Sequence, residues 1–480
     1  MRVRTSAIAL LLVLGCALPA AATVLAVSKT ADTADGACNE DCSLREAAIA
    51  SRHLAGPDVI VLGPGVYRLT LAAGEEPDSE ATGDLDLQQS VVIAGAGAGR
   101  TVIDAAGIDR AVDVLAGATV ELADLALRNG ATAGGGGAIR NAGALSLLRV
   151  TVSDSAAGES GGGILSEGAA TLTVAASTVS ANQASGKGGG IAAGGSVQIH
   201  DATLSGNHSG AAGGGLYVQP GASGGLTSLT VTANESAAQG GGAQLDAALP
   251  WTSSVVAGNG APLRPDAAGV VASAGFNLWG VAEGVTLAAG DQGGSAAHPL
   301  DPQLAPLAEQ GGPTPTHAPL PGSPALEAGG PADEPFCAAF DQRGVRRNAA
   351  ATGRCDAGAV EVTPSCVPGN DRLCLAGGRF EVTARWQSGE LAGAATAVPI
   401  TDESGSFWFF AASNLELTVK VVDACGAGAN GRFWVFSSGL TDTAVTLTVR
   451  DTATGHLRTY RSNAGSVFPT RLDTDAFLCS

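Results

Sequence analysis

The amino-acid sequence predicts an all-β protein, in which a parallel β-helix with a short N-terminal cap helix is followed by an antiparallel β-sandwich. Three observations support this prediction. Glycine clusters recur at intervals of 25, 27, 25 and 27 residues, aliphatic residues keep fixed distances from those clusters, and aromatic residues concentrate after residue 366. A fixed period of this size indicates a repeat architecture, and the aromatic-rich segment marks a second hydrophobic core.

The first 22 residues are predicted to be a secretory signal peptide. Arg2 and Arg4 precede a short apolar run, and small residues follow it. The run is too short to span a bilayer, and no later segment is apolar enough to do so. An alternative is a lipid anchor at Cys16, because the residues before it loosely match a lipoprotein cleavage box. We therefore expect a secreted or cell-surface protein with no transmembrane segment.

Residues 23–90 are predicted to form the N-terminal cap and the first strands. Ser43 and Glu46 make a capping-box pattern, so a short helix should follow and end near Gly56. Such a helix would cover the open end of a β-helix, where strand edges and apolar core are exposed. Catalysis by Arg45 or Glu46 is the weaker interpretation, since an ion pair on a helix surface is ordinary.

Residues 91–298 are predicted to form the β-helix, with roughly seven coils between Val91 and Trp279. Fourteen and nine positions before successive glycine clusters the residues are all aliphatic, and hydroxyl residues flank the second column. Period-two alternation of this kind indicates a strand with one buried face. Units of about 26 residues are too short for helical crossovers, which favours a parallel β-helix with glycine corners. A phosphate-binding loop would instead need Gly-Lys-Ser/Thr opening a helix.

Polar side chains also keep register with the glycine clusters. A structural ladder of stacked amides is predicted from Asn182, Asn207 and Asn234, with Asn129 one position out of register. Threonine and serine columns form a flat hydroxyl array beside it. Ice binding is therefore a minor alternative for this face.

Three segments resemble known bacterial sequences. Gly136 to Ile139, followed by VSAN, LSGN and VTAN, is similar to the repeats of polymorphic outer-membrane proteins and related secreted right-handed β-helices. CNEDCSLREA, residues 38–47, resembles the CSLREA motif. Residues 301–361 resemble the choice-of-anchor Q segment that follows such helices. The resemblance implies a right-handed parallel β-helix and leaves the activity open.

Residues 299–361 form the proline-rich, choice-of-anchor-like segment, of which residues 299–324 should lie extended against the last coil. Residues 366–480 contain eight of the eleven Phe and three of the five Trp and are predicted to form the β-sandwich. Trp386, Trp408 and Trp434 could stack on sugars, but alternating aromatics in a sandwich are more often core.

Eight cysteines remain after the predicted leader, and an even count in an exported chain suggests disulfides. Spacing pairs Cys38 with Cys42 and Cys337 with Cys355. It leaves open how the remaining four pair, namely Cys366, Cys374, Cys425 and Cys479. The formal net charge is −19, or −21 once Arg2 and Arg4 are removed, so the chain should repel nucleic acid and other polyanions.

The best acid/base candidates are His208 and Glu235, which occupy the same offset in neighbouring coils. The alternative is that they are solvated corner residues, because no further carboxylate or cation joins their column. We predict no metal site and no cofactor. Calcium is the one ion that the acidic run from Glu75 to Asp86 could hold, although the run lacks a fixed ligand spacing.

The sequence therefore favours an exported, non-catalytic β-helix protein that presents an extended surface for binding or adhesion to polysaccharide, other cell-envelope components or protein. The alternative is a carbohydrate-active enzyme, a polysaccharide lyase or glycoside hydrolase, on the same scaffold. A lyase would need a basic residue that takes a proton from a uronate, and a hydrolase would need clustered carboxylates.

Overall fold

The computed structural model describes residues 23–54, 56–72, 81–331, 336–347, 353–362, 366, 368–425, 430–452 and 456–479. The predicted signal peptide, Cys16 and most of the acidic run that begins at Glu75 lie outside these residues. About 45% of the chain is strand and 2% is helix, which confirms the all-β class. None of the described helices is long and apolar enough to span a membrane.

The N-terminal part is a parallel β-helix built around one long sheet of 18 strands, which run in two rows along the stack. The first row consists of Val24–Ala26, Asp58–Val61, Val91–Ala94, Thr119–Ala123, Ala144–Leu148, Thr171–Ala175, Ser196–Ser205, Ser223–Thr232, Pro250–Thr252 and Ala272–Gly275. Ser196–Ser205 and Ser223–Thr232 continue into the second row, which also contains Gly65–Arg68, Thr101–Asp104, Ala126–Arg128, Thr151–Ser153, Thr178–Ser180, Val255–Val256, Leu278–Trp279 and Gln292–Gly293.

Two smaller parallel sheets complete each coil. The second sheet consists of Leu85–Leu87, Val112–Val114, Ile139–Asn141, Ile164–Ser166, Ile191–Ala193, Leu216–Val218, Ala243–Leu245 and Ala267–Gly269. The third sheet consists of Ala131–Thr132, Ala156–Ala157, Gln183–Ala184, His208–Ser209 and Glu235–Ser236. About seven turns are present, which confirms the predicted parallel β-helix.

The stack begins before the glycine repeats. Val24–Ala26 pairs in register with Asp58–Val61, which in turn pairs with Val91–Ala94. Residues 23–90 therefore add coils of their own, in addition to the cap helix. This part has no glycine clusters, so the 25- to 27-residue period does not extend to it.

The cap helix is Leu44–Ser51, and its capping box is complete, because Ser43 accepts from the Glu46 backbone while the Glu46 side chain accepts from the Ser43 backbone. Leu44, Ala47 and Ala48 are buried in the β-helix core. The helix therefore covers apolar core at this end of the stack, as predicted.

Arg45 is not a surface residue of that helix, as the sequence suggested, because its side chain is fully buried. Its Nε donates to Asp32 Oδ1 at 2.8 Å, and its terminal nitrogens donate to the carbonyls of Gly83 and Asp84. Burial alone would raise the pKa of Glu46, but hydrogen bonds from Thr33, Asp35 and Ser43 outweigh burial and lower that pKa to about 2. Both charged residues thus hold the cap together.

The glycine clusters form corners between the third and second sheets. Gly188 has a φ of 70°, and a Cβ there would lie 2.4 Å from the carbonyl oxygen of Ile191. No other residue fits this turn without moving the backbone. The clusters are therefore structural corners and do not bind phosphate through a helix.

The asparagine ladder runs inside the corner between the second row and the third sheet. The Nδ2 of Asn182 donates to Asn207 Oδ1 at 3.0 Å, and the Nδ2 of Asn207 donates to Asn234 Oδ1 at 2.9 Å. The ladder continues to Asn259, which the sequence analysis missed because no glycine cluster follows it in register.

Asn129 does not belong to the ladder, so this part of the prediction is wrong. It has a φ of 58° and lies in the column of left-handed residues that comes just before the ladder position. Its Nδ2 donates to Asp104 Oδ1 at 3.0 Å instead. Gly130 occupies the ladder position, and its N–H donates to Ser155 Oγ.

The segment that we call the strap, residues 299–361, packs on the last coils through Ala325, Ala328 and Ala357. It also runs back along the second row as far as Thr178, whose hydroxyl donates to Pro315 O at 2.6 Å. The prediction that it lies against the last coil is therefore too narrow. Hydrogen bonds between the strap and the hydroxyl columns hold it against these earlier coils.

The C-terminal part has two antiparallel sheets of five strands that share one core. The first contains Arg372–Leu375, Phe380–Ser388, Leu391–Ala394, Ala444–Asp451 and Leu457–Ser462. The second contains Thr396–Thr401, Ser404–Trp408, Leu417–Ala424, Arg432–Gly439 and Arg471–Leu478. This confirms the predicted sandwich of two antiparallel sheets.

Four disulfides are present. Cys38 is bonded to Cys42 and Cys337 to Cys355, the two pairs that spacing favoured. The two that sequence left open are Cys366–Cys374 and Cys425–Cys479. The second of these ties the last strand to the end of Leu417–Ala424.

Candidate functional site

His208 and Glu235 are neighbours in the third sheet, as their shared offset suggested. The His208 Nδ1 lies 3.7 Å from Glu235 Oε2, and the two side chains are 48% and 73% exposed. Gln183 and Ala156 precede them in the same column, and Gly260 follows. Nothing in the described part of this column excludes water or adds a third ionisable group, so the pair lacks the setting of an acid/base site.

The described end of the acidic run contributes Asp84 and Asp86, whose carboxylates lie within 4.8 Å of each other and of Asp113. Burial raises the pKa of Asp84 to about 6, although Arg110 lowers it in part. Arg110 Nε is 2.9 Å from Asp84, and Arg140 NH1 is 3.0 Å from Asp113. Two of the three carboxylates are thus already paired with guanidinium groups of the chain, which leaves less negative charge for a calcium ion.

The predicted hydroxyl array is covered by the strap over several coils. Gln342 Oε1 accepts from Thr203, and Gln342 Nε2 donates to Thr178. The Ser205 hydroxyl meets His317 Nε2 at 2.8 Å, and the Thr230 hydroxyl accepts from the Ala359 N–H. A surface buried in this way cannot present a flat hydroxyl face to ice.

A buried charged network fastens the strap. Arg347 is fully buried, and its NH2 donates to Asp201 Oδ1 at 2.9 Å and to the Gly358 carbonyl. Burial raises the pKa of Glu361 to about 7, and Asp356 adds to the effect. Charged residues of two strap segments, DQRGVRR (341–347) and CDAGAVE (355–361), therefore help to dock the strap on the β-helix.

The strap also forms one wall of an open cavity of about 540 Å³ that no sequence pattern indicated. Arg149, His200 and Asp201 line it from the β-helix, and Phe340 and Arg343 line it from the strap. The first three come from strands two coils apart, so strand register alone does not indicate a shared site. They do line one cavity, because the strap adds a wall whose position no repeat pattern encodes.

The ionisable groups of this cavity are already paired. Asp201 lies between His200 Nδ1 at 3.1 Å and Arg347 at 2.9 Å, and Arg149 pairs with Asp124 at 2.6 Å. Arg343 pairs with Asp341 at 2.8 Å. The other ring nitrogen of His200, Nε2, makes no hydrogen bond to the described residues. Phe340 is 56% exposed. The cavity thus offers an aromatic surface and cations whose charges are balanced locally.

The cavity borders a surface that the described residues of the strap leave uncovered, which we call the open face. It is formed by outward residues of the first row: Thr119, Glu121, Ser146, Thr171, Thr173, Ser196, Gln198, Ser223 and Thr227. Their inward neighbours, such as Leu172 and Val174, are fully buried. Glu121 is the only charged member. A shallow groove of about 360 Å³ crosses this face beside Glu121 and Thr173.

A further cluster lies on the second sheet. Lys187 Nζ is 3.1 Å from the Tyr217 hydroxyl and 3.2 Å from Asp246 Oδ2. Burial lowers the pKa of Lys187, but its hydrogen bonds to Tyr217 and Asp246 outweigh burial and the net shift is upward. A lysine held protonated in this way cannot act as the base that a lyase requires.

No family model, curated protein or solved structure shows significant similarity to this chain.

Proposed function

We propose that the protein is an exported, non-catalytic β-helix protein that binds an extended glycan of a cell envelope along its open face. One observation carries the proposal: a row of outward hydroxyl and amide side chains, interrupted by Ala144 and Gly225, borders a cavity with the exposed Phe340 ring and His200. Neighbouring coils are about 4.8 Å apart, so these side chains repeat at a regular spacing along the rod. A polymer of hydroxylated units suits such a repeat better than a compact small molecule.

Three further points support the proposal. The carboxylates that line or border the cavity are paired with arginines, so no clustered free acids are available for hydrolysis. The four disulfides suit an oxidising, extracellular environment. The resemblance to CSLREA-motif proteins and polymorphic outer-membrane protein repeats points to the same class of surface proteins.

The test is retention of the purified protein on a panel of neutral polysaccharides, with new reducing ends measured in parallel. Unsaturated uronate is measured separately on uronic-acid polysaccharides with calcium. We expect binding without turnover. Phe340→Ala should weaken binding about tenfold, since an aromatic contact and its buried area are lost. His208→Ala, an exposed change on the third sheet, is the matched control and should leave binding unchanged. Equal binding by both variants would contradict the proposal.

A carbohydrate-active enzyme is the second candidate, and the His200–Asp201 pair in the cavity is the observation that favours it. A carboxylate that orients an imidazole is a common arrangement for a general base. Turnover on any substrate of the panel that His200→Ala abolishes, while Glu235→Gln does not, would establish this function in place of binding.

A further inference from the structure

The outer surface of the first sandwich sheet is basic, in contrast to the rest of the molecule. Residues 366–480 contain nine basic and eleven acidic residues, a net charge of −2, whereas residues 1–365 carry 17 basic and 34 acidic residues, a net charge of −17. The repulsion of polyanions expected from the charge of the whole chain should therefore be much weaker for this domain. The distribution of its charges over the two sheets decides what it can bind.

Strand alternation places the arginines on one side. Val382, Ala384, Leu447 and Val449 are buried in the sandwich core. Their neighbours in sequence, and the cross-strand partners of those neighbours, point away from that core. They form what we call the arginine face: Arg372, Thr383, Arg385, Thr446, Thr448, Arg450, Thr459 and Arg461, with Glu381 as its one carboxylate.

The register fixes the layout of this face. Arg385 pairs with Thr446, and Thr446 pairs with Arg461, so the two arginines lie on alternate strands about 10 Å apart. Arg450 lies about 14 Å further along the strand from Thr446. The threonines fill the space between them. Positive charges thus frame a flat patch of hydroxyl groups.

Most of these charges have no partner in the described structure. Glu381 is 3.4 Å from Arg372. Among the described residues, no ion pair or side-chain hydrogen bond involves the guanidinium groups of Arg385, Arg450 or Arg461. Arg385 and Arg461 are exposed and Arg450 is half-buried. Like charges held on one rigid sheet repel each other, and a bound anion would relieve that repulsion.

We propose that the arginine face binds an acidic polysaccharide through Arg385, Arg450 and Arg461. Guanidinium groups bind carboxylates in a bidentate manner, and threonine hydroxyls can bond to sugar hydroxyls between the acid groups. A flat sheet suits a polymer chain more than a compact ligand. The disulfides Cys366–Cys374 and Cys425–Cys479 place this domain in an oxidising compartment, where an acidic polysaccharide is a more fitting occupant than nucleic acid.

The test uses the full chain and polygalacturonate, a homopolymer of uronic acid, with Kd measured at low and at physiological salt. Changing Arg385, Arg450 and Arg461 together to Gln should weaken binding about a hundredfold and flatten the salt dependence. The matched control changes three exposed arginines of the β-helix, Arg68, Arg100 and Arg264, to Gln. It alters net charge equally and should change Kd less than about threefold.

Two further measurements complete the test. Changing the same three arginines to Lys keeps the charge and loses the bidentate geometry, so part of the affinity should return. Circular dichroism establishes that each variant is folded. Equal loss in the control, or tighter binding to duplex DNA or anionic vesicles than to polygalacturonate, would overturn the proposal. Phe340→Ala should not affect this binding, which separates the arginine face from the proposed function of the open face.

Discussion

At the scale of single residues, the charged positions of this protein mainly hold its parts together. Arg45, Glu46, Arg347 and Glu361 are all buried, and each bonds to a segment distant in sequence or caps a helix. The sequence pattern suggested that Arg45 and Glu46 lie on a helix surface, because it does not reveal the contacts with Asp32 and Gly83. These residues therefore contribute to stability more than to chemistry.

Arg45→Met should destabilise the β-helix by about 3–5 kcal/mol, because it leaves Asp32 as an uncompensated buried charge. The Asp32 side chain is only 2% exposed. Urea unfolding monitored by circular dichroism measures the effect. Arg100→Met, a change at an exposed site, should stay within about 0.5 kcal/mol. A loss below about 1 kcal/mol for Arg45→Met would show that the ion pair is not essential to the cap.

Glu361→Gln should change how stability depends on pH. The Glu361 pKa is raised from 4.5 to about 7 in the folded protein, so the folded state binds the proton more tightly than the unfolded state. This carboxyl therefore lowers stability as pH rises from about 4.5 to about 7, by roughly 3 kcal/mol in total. The variant should be more stable than the parent at pH 8 and equal to it near pH 4.5.

Thermal unfolding between pH 4.5 and pH 8 checks this expectation. Glu309→Gln is the control, since Glu309 lies in the same strap and is exposed. A parallel pH dependence in the parent and in Glu361→Gln would refute it.

At the scale of elements, the corner ladder and the strap are the two features that organise the β-helix. The ladder stacks amides of successive coils inside a corner, whereas the strap covers the second row from outside. Both use side chains that sequence presents as ordinary polar columns. The asparagine column stabilises the β-helix because its side chains point inward.

Asn207→Ala should cost about 3 kcal/mol, because it leaves the buried backbone N–H of Asn182 without its acceptor and removes the side-chain hydrogen bonds to Asn182 and Asn234. Equilibrium unfolding in urea measures this loss. Gln183→Ala, an exposed change beside the ladder, should have an effect of less than about 0.5 kcal/mol. Equal effects of the two changes would mean that the ladder contributes nothing beyond the backbone.

Gln342→Ala should loosen the strap while the coils beneath it stay folded. The side chain bridges Thr178, Thr203 and Thr314, and its loss leaves three buried hydroxyls with fewer partners. Amide hydrogen exchange in residues 313–347 should speed up by about tenfold or more. Gln303→Ala, at an exposed position of the same strap, is the control. Unchanged exchange in Gln342→Ala would show that the other strap contacts suffice.

At the scale of the whole molecule, the chain has two main cores that share no buried residue. The β-helix core is mainly aliphatic and grows coil by coil, whereas the sandwich core also contains six phenylalanines. The charges differ as well, with most of the acid excess in the β-helix part. The two parts should therefore unfold separately and bind different polymers.

Replacing Cys425 and Cys479 with Ala should lower the stability of the sandwich by about 4 kcal/mol and leave the β-helix transition in place. The disulfide spans 54 residues, so its removal frees much conformational entropy in the unfolded domain. Differential scanning calorimetry distinguishes the two transitions. Replacing Cys38 and Cys42, which close a span of only four residues, should have a smaller effect. A single transition that shifts as a whole would contradict the independence of the two cores.

The sequence by itself determined the parallel β-helix, its glycine corners, the capping box and the sandwich, because these follow from local periodicity and turn chemistry. It also predicted that His208 and Glu235 are adjacent, since stacking preserves an offset. It could not place the strap, whose contacts with Thr178 and Thr203 join residues more than 130 positions apart.

Only the tertiary structure therefore decided which face is covered, which arginines are buried and which ones gather on the arginine face. Net charge is a sum over the chain, whereas binding depends on which charges share a surface, and strand pairing alone determines that.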